Sequence, residues 1–310
     1  GAHVGLGHQR RMDFLASLLR QTGTGAVEQV VLEPDQTEAM SASTGATGAT
    51  LSMAKISALV HDLVPSMLVL DLPWSRFDQD DLEEVLVRLS STTKVICVDG
   101  PSSTAAEVKR IFPTVSQPPS PCVSPRCFWG PSWVMARRRD KASVWAPGKN
   151  CLVLTGSTGS EHYLTELSKS LPRRAKSLAD FSWAPGPYSS AAVRASATSN
   201  GFALIGPTEL VEAKNQANIS ICRFGVSAME MMCLGVPTII LPDFQENEKT
   251  EVLALQDFGL AIVIDDYRLL EPSVRALVEN PEHAATLSRN CLKHFSPPTM
   301  DQLTQVFELP

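Results

Sequence analysis

The residues with the clearest chemical meaning lie in the stretch ISICRFGVSAMEMMCLGVPTIIL, residues 219–241. Its pattern predicts an apolar strand, a glycine-containing turn, a helix and a second apolar strand. The turn would place backbone N–H groups and a helix N-terminus at the end of a strand, which favours binding of an anion such as a diphosphate. Glu230 follows one turn into the helix, where its carboxylate could accept hydrogen bonds from ribose hydroxyls. A nucleotide diphosphate would satisfy both features, although a buried βαβ unit without a ligand shows the same pattern.

A second feature is the N-terminal segment GAHVGLGHQRR. Gly5 and Gly7 permit close backbone approach, and a helical pattern with apolar residues on one face follows them. His8 falls at or near the start of that helix. The helix dipole disfavours an imidazolium there, so neutral His8 could accept a proton near neutral pH. Arg10 and Arg11 either form a solvated basic turn or indicate an anionic partner, because cations are unfavourable at a helix N-terminus.

Together these segments resemble the GT-B superfamily of nucleotide-sugar enzymes. GLGHQRR and RFGVSAMEMMCLGVPTIILP are similar to motifs of the PseG/SpsG group, nucleotide-sugar hydrolases related to the MurG glycosyltransferase. The segments CFWGPSWVMARR and CLVLTGSTG are similar to two further motifs of that group. The opening AHVGLGHQRRM also resembles the cytosylglucuronate-synthase-related glycosyltransferases of nucleoside-antibiotic pathways.

The resemblance implies a catalytic base and a set of donor contacts. His8 is the implied base. The implied nucleotide-sugar contacts are Gly7, Thr155, Gly156, Ser157, Arg223, Phe224, Gly225, Val226, Ser227, Glu230, Asn247 and Glu248. A plainer interpretation remains for two of these positions, since the turn at Thr155 could be an N-cap cluster and Asn247 could be a helix N-cap.

The sequence departs from the PseG pattern at two places. Phe224-Gly225-Val226-Ser227 replaces the usual Gly-Gly-Ser, and Glu248 replaces an amide. Both departures favour a transferase over a hydrolase. Asp71 and Asp99, which end two predicted strands, either orient an acceptor or His8 or serve as turn formers.

Composition limits the classes of function. The 310 residues carry a formal net charge of -6, which argues against a nucleic-acid surface. No apolar run reaches the ~18 residues of a membrane span, and no signal peptide is visible. Seven irregularly spaced cysteines predict reduced thiols in the cytoplasm, with neither a disulfide framework nor a metal site. We expect no metal and no cofactor, because the nucleotide sugar, a UDP-sugar by resemblance, is a substrate.

Alternating strands and helices predict an α/β protein with two doubly wound Rossmann-like domains facing a cleft. Residues 1–145 would form the acceptor-side domain and residues 146–310 the nucleotide-sugar domain, with the last helix returning to the first domain as in the GT-B fold. The first domain is predicted to contain a strand at Gln29–Leu32, a loop at 41–50, a helix at Met53–Leu63, strands at Met67–Asp71 and Lys94–Asp99, and a short helix at Ala105–Ile111.

Three functions fit these observations. A glycosyltransferase would move a sugar from a nucleotide sugar to a small acceptor, such as a nucleobase or nucleoside-pathway intermediate. A PseG-like hydrolase would use water at the same site, and a scaffold would bind the nucleotide sugar without catalysis. The motifs favour the transferase but do not separate water from an acceptor, because both need the same base and the same nucleotide site. A generic α/β protein with an unrelated ligand is the remaining alternative.

Overall fold

The computed structural model describes residues 6–21, 27, 53–72, 79–100, 108–117, 126–136, 145–156, 160–171, 177–186 and 189–308. Two compact units share the chain, one formed by residues 1–135 with 297–310 and the other by residues 136–296. Each contains a parallel sheet with helices, which confirms the predicted class of Rossmann-like α/β domains. Within the described ranges, no helix has the length and apolar character needed to cross a membrane.

Helices and strands alternate along most of the chain. The α-helices are α1 Leu6–Gln21, α2 Met53–Leu63, α3 Gln79–Ser90, α4 Ser160–Ser170, α5 Ala191–Ser199, α6 Leu210–Gln216, α7 Val226–Cys233, α8 Lys249–Asp257, α9 Leu270–Glu279, α10 Pro281–His294 and α11 Met300–Phe307. The strands are β1 Met67–Asp71, β2 Lys94–Val98, β3 Lys109–Phe112, β4 Cys127–Trp129, β5 Asn150–Leu154, β6 Asp180–Ala184, β7 Ala203–Leu204, β8 Ile219–Cys222, β9 Thr238–Ile240 and β10 Ile262–Val263.

The sheet of the first unit has the order β1-β2-β3-β4, with all strands parallel. Its two faces are buried by different helices, as alternate residues of β2 show. Val95 and Cys97 pack with residues of α2 and α3, whereas Ile96 and Val98 pack with residues of α1 and α11. The C-terminal helix α11 is therefore part of the first unit.

One predicted element of the first unit is wrong, and two cannot be compared. The segment predicted as a helix at Ala105–Ile111 contains the start of β3, which pairs with β2 and β4. A short apolar run can form either a helix or a strand. Here it forms a strand, because it pairs with β2 on one side and β4 on the other. The predicted strand Gln29–Leu32 and the loop at 41–50 lie outside the described residues.

Arg11 joins α1 to the carboxyl ends of two strands. Its Nε donates to Asp71 Oδ2 at 2.9 Å and its Nη2 to Asp71 Oδ1 at 2.7 Å, while Nη1 donates to Asp99 Oδ2 at 3.1 Å. Burial alone would lower the pKa of Arg11, but the two carboxylates outweigh burial and raise it. The anion that balances Arg11 is thus supplied by the chain itself, which corrects the solvated-turn interpretation. Asp71 and Asp99 are ion-pair partners of the helix.

The second unit has a six-stranded parallel sheet in the order β10-β9-β8-β5-β6-β7. From β5 the chain adds β6 and β7 on one side, then crosses back to add β8, β9 and β10 on the other. Strand order therefore reverses between β5 and β8. In sheets of this kind a crevice opens beyond the carboxyl ends of the two strands at the reversal, and ligands bind there.

We predict that Arg11→Met destabilises the first unit by about 3–5 kcal/mol, because it leaves the fully buried Asp71 carboxylate without its cation. Urea unfolding followed by circular dichroism measures the change. The control is Arg20→Met on the same helix, where the exposed guanidinium donates to the Val27 carbonyl and the loss should stay under about 1 kcal/mol. Equal losses for the two variants would contradict the anchoring role of Arg11.

Candidate functional site

Two glycine-containing loops leave the second sheet side by side at the reversal of strand order. Leu154 of β5 pairs with Cys222 of β8, and the N–H of Arg223 donates to the Leu154 carbonyl at 3.1 Å. The loop after β5 begins with Thr155 and Gly156, and the loop after β8 contains Gly225. The structure thus brings together two of the three segments of this unit that the sequence predicts as donor contacts.

Both glycines adopt backbone conformations that favour glycine and lie beside open space. Gly156 has a φ of +79° and Gly225 a φ of +142°. A Cβ built on either residue would meet no atom within 4 Å among the parts of the chain that the structure describes. Gly225 is also the N-cap of α7 and offers no side chain to its first N–H groups. The arrangement leaves room for a ligand to approach backbone donors at a helix N-terminus.

Glu230 lies on α7, four residues after its first residue, or roughly 6 Å along the helix axis. Its carboxylate forms an ion pair with Lys214 of α6, and the two side chains are only 13% and 10% exposed. Lys214 was not expected from the sequence, because a single lysine in a short amphipathic helix gives no sign of its partner. The ion pair offsets the negative charge of a carboxylate that lies on the helix following the Gly225 turn.

Arg223 stands at the start of the turn after β8. Its Nε is buried and has no hydrogen-bond partner within the described ranges. A buried guanidinium N–H without a partner costs on the order of 1–3 kcal/mol. Its positive charge also acts on Tyr163: burial raises the pKa of Tyr163, and Arg223 opposes that rise. Arg223 is therefore a cation at the start of the glycine turn, and its buried Nε is unsatisfied within the described ranges.

Two further predicted contacts of this unit, Thr155 and Glu248, form hydrogen bonds within the chain. Thr155 is buried, and its hydroxyl accepts a hydrogen bond from Trp183 Nε1 at 3.0 Å. Glu248 accepts from the Gln245 N–H at 2.7 Å and is itself the N-cap position of α8. Asn247 lies one residue earlier in a short 3-10 turn, so its predicted N-cap role is wrong. Donor contacts at all three predicted positions stay predictions.

Other predicted contacts can be placed only in part. Phe224, Val226 and Ser227 are half-buried around the start of α7. Ser157 lies outside the described residues, as does the side chain of Asn247.

His8 belongs to the first unit, whereas the two glycine loops belong to the second. Helix α1 begins at Leu6, so Gly7 and His8 both lie in its first turn and Gly7 is not in the loop that the glycine pattern predicts. Helical structure at this position agrees with the expected place of His8 at a helix start. The roles of His8 as a base and of Gly7 as a donor contact stay predictions.

Three polar residues that the sequence did not single out meet at the same edge of the second sheet. His162 Nε2 lies 3.3 Å from Asp243 Oδ1, and the Tyr267 hydroxyl donates to the other oxygen of Asp243. They belong to α4 and to the loops after β9 and β10, respectively. Because they are far apart in sequence, no local spacing could have linked them. Only the position of Asp243, just after a predicted strand, offered a signal.

Comparison with known proteins identifies the second unit. Residues 150–303 match the family model for the glycosyltransferase family 28 C-terminal domain. MurG from Acinetobacter baumannii superposes with a TM-score of 0.59 at 16% identity, covering 99% of this chain and 97% of that one. MnaA from S. aureus, solved with UDP, gives a TM-score of 0.55 at 11% identity over 83% of this chain and 80% of its own. The glycosyltransferase VinC, solved with dTDP, gives 0.54 at 11% identity over 83% and 75%. No curated protein matches the sequence.

The family match spans both glycine loops and the helix that carries Glu230. Residues 150–303, just under half of the chain, are thus similar to the glycosyltransferase family 28 C-terminal domain. The superpositions show that the chain has the GT-B fold of these solved structures. The MurG-like resemblance that the sequence motifs indicate is thereby confirmed.

We predict that Gly225→Ala abolishes measurable UDP binding, because the new methyl group enters the open space beside the turn and the φ of +142° disfavours alanine. The matched control is Gly130→Ala in the first unit, where φ is +126° and the space is also open. Both variants should lose about 1–3 kcal/mol of stability from backbone strain. Calorimetric titration with UDP should show a loss of affinity for Gly225→Ala only. Full affinity in that variant would exclude the turn as the diphosphate site.

Proposed function

We propose that this protein is a glycosyltransferase that moves a sugar from a nucleoside diphosphate donor to a small acceptor. The pair of glycine turns at the strand-order reversal carries the proposal, because it offers backbone donors where such sheets bind nucleotides. The donor is a UDP-sugar, and the UDP bound to the structurally similar MnaA supports that choice. The acceptor is a nucleobase or a nucleoside-pathway intermediate, as the resemblance of the N-terminal segment suggests.

The charges around the turn fit a nucleotide diphosphate. The N–H groups of Gly225 to Ser227 and the positive end of the α7 dipole bind the diphosphate oxygens, and Arg223 adds a full positive charge. Glu230 accepts hydrogen bonds from the ribose hydroxyls. Its own charge would repel the diphosphate, and the ion pair with Lys214 reduces that repulsion.

Transfer then follows as a displacement at the anomeric carbon of the sugar. The acceptor atom forms a bond to that carbon while His8 removes the proton from the acceptor. The bond from the anomeric carbon to the diphosphate oxygen breaks, and its electron pair stays on the diphosphate. Arg223 and the α7 N-terminus stabilise the negative charge that develops on this leaving group. In this step the nucleotide sugar is a substrate, and the charges that we propose for it come from the chain alone.

To test the function, UDP-sugars are incubated with the purified protein, with and without pyrimidine bases and nucleosides, and the release of UDP is followed. We expect release to need an acceptor and His8→Ala to slow it by roughly 10²–10⁴-fold while UDP affinity is unchanged. His61→Ala, which alters an exposed histidine of α2, is the control. Rapid release in water alone would indicate the hydrolase, and UDP-sugar binding without turnover under any condition would indicate the scaffold.

The ribose role of Glu230 gives a separate prediction. The wild-type protein should prefer UDP to 2′,3′-dideoxy-UDP, and Glu230→Gln should lose about tenfold in UDP affinity and much of that preference, because an amide oxygen accepts more weakly than a carboxylate. Glutamine is chosen because it keeps an acceptor oxygen for the nearly buried Lys214, which alanine would remove. Glu212→Gln, on an exposed carboxylate of α6 that bonds to Gln216, is the control. An undiminished preference for UDP in Glu230→Gln would remove the ribose role.

A further inference from the structure

In the cluster of His162, Asp243 and Tyr267, the carboxylate of Asp243 orients the imidazole of His162. Asp243 accepts a hydrogen bond from the Tyr267 hydroxyl at one oxygen and faces His162 Nε2 with the other. Burial and the hydrogen bond to Asp243 hold the pKa of Tyr267 above its ordinary value, so the tyrosine remains a donor. Both oxygens of the carboxylate are thereby occupied within the cluster.

This arrangement leaves one side of the imidazole for another molecule. Because a carboxylate only accepts hydrogen bonds, the hydrogen on Nε2 faces Asp243 and the ring is held by that contact. Nδ1 is then the nitrogen available for a ligand. The His162 side chain is 56% exposed, whereas that of Asp243 is 28% exposed. The outward part of the cluster is therefore the histidine.

The position of the cluster ties it to the glycine turns. His162 lies in the first turn of α4, directly after the loop that contains Gly156. The positive charge of Arg223 lowers the pKa of the neighbouring Tyr163 and so opposes the effect of burial. Arg223 is the first residue of the loop that contains Gly225. Helix α4 and the loops after β8 and β9 thus supply His162, Arg223 and Asp243, and these segments follow three adjacent strands at one edge of the sheet. Glu166 and Glu248 are the other charged groups that act on the two tyrosines.

We propose that His162 is a second donor-binding residue, which contacts the diphosphate of the nucleotide sugar, and that Asp243 and Tyr267 position it. The inference rests on the proposed function, since it names a further group of the same donor site. An imidazole that is oriented by a carboxylate can donate to a phosphate oxygen from its outer nitrogen when protonated. With Arg223 it would place two donors on the diphosphate from adjacent loops.

The test compares UDP with uridine, which lacks the phosphates but keeps the base and ribose. We expect His162→Ala to weaken UDP binding by about tenfold and to leave uridine binding unchanged within about twofold. His283→Ala is the matched control, because His283 is also an exposed histidine in the first turn of a helix, α10, of the same unit. That control should bind both ligands as the wild type does.

The outcomes separate the inference from the function on which it rests. If the wild type binds neither UDP nor UDP-sugars, the proposed function fails. If the wild type binds UDP and His162→Ala binds it equally well, only the inference is overturned. An equal loss of UDP and uridine would also overturn it, because the effect would then come from the fold of the site and not from a phosphate contact.

A double-mutant cycle tests the positioning role. Asp243→Asn should weaken UDP binding by about threefold in the wild-type background, because the imidazole loses its orienting charge. In the His162→Ala background the same change should have no further effect. A loss of equal size in both backgrounds would show that Asp243 acts independently of His162 and would remove its positioning role.

Discussion

The pairing of β5 with β8 is the constraint on which the donor site depends. These strands are separated in sequence by two strand–helix units, yet their backbone hydrogen bonds fix Leu154 beside Cys222 and Arg223 beside Leu154. Both strands run in the same direction, so their following loops emerge at one edge. A different strand order would leave the same two glycine turns intact and place them apart, and neither turn alone would form a two-sided site for a diphosphate.

The charges of the two units are balanced in different ways. In the first unit, Arg11 is balanced by Asp71 and Asp99. In the second unit, Lys214 offsets Glu230, whereas Arg223 keeps a buried N–H that no described atom satisfies. Desolvated charges are costly without partners, so Arg223 is the less well compensated of these cations among the described residues.

The likeness to solved GT-B structures at 11–16% identity is a likeness of fold, and the proposed site depends on features that a fold preserves. Backbone N–H groups, a helix dipole and the conformation of two glycines need few particular side chains. Side chains such as His162, Asp243 and Tyr267 are added to that backbone arrangement from separate loops. They can therefore adjust donor binding without any change in the strand order beneath them.

Local sequence determined the elements whose signal is contained in one short segment. The strand, turn and helix around Gly225 follow from an apolar run, a glycine and a helical period, and the strand at Met67–Asp71 follows from its apolar residues. Local sequence did not determine the segment Ala105–Ile111. Its first residues lie outside the described residues, and its last residues form part of β3 because they pair with β2 and β4.

Only the tertiary structure decided the polar partnerships. Arg11 with its two carboxylates, Lys214 with Glu230, and the contacts of His162 join residues that the chain separates by 16 to 88 positions. Hydrophobic periodicity reports which face of an element is buried, but it carries no information about which distant side chain will lie opposite. The sequence thus determined that a glycine turn precedes helix α7, and the strand order determined which charges surround that turn.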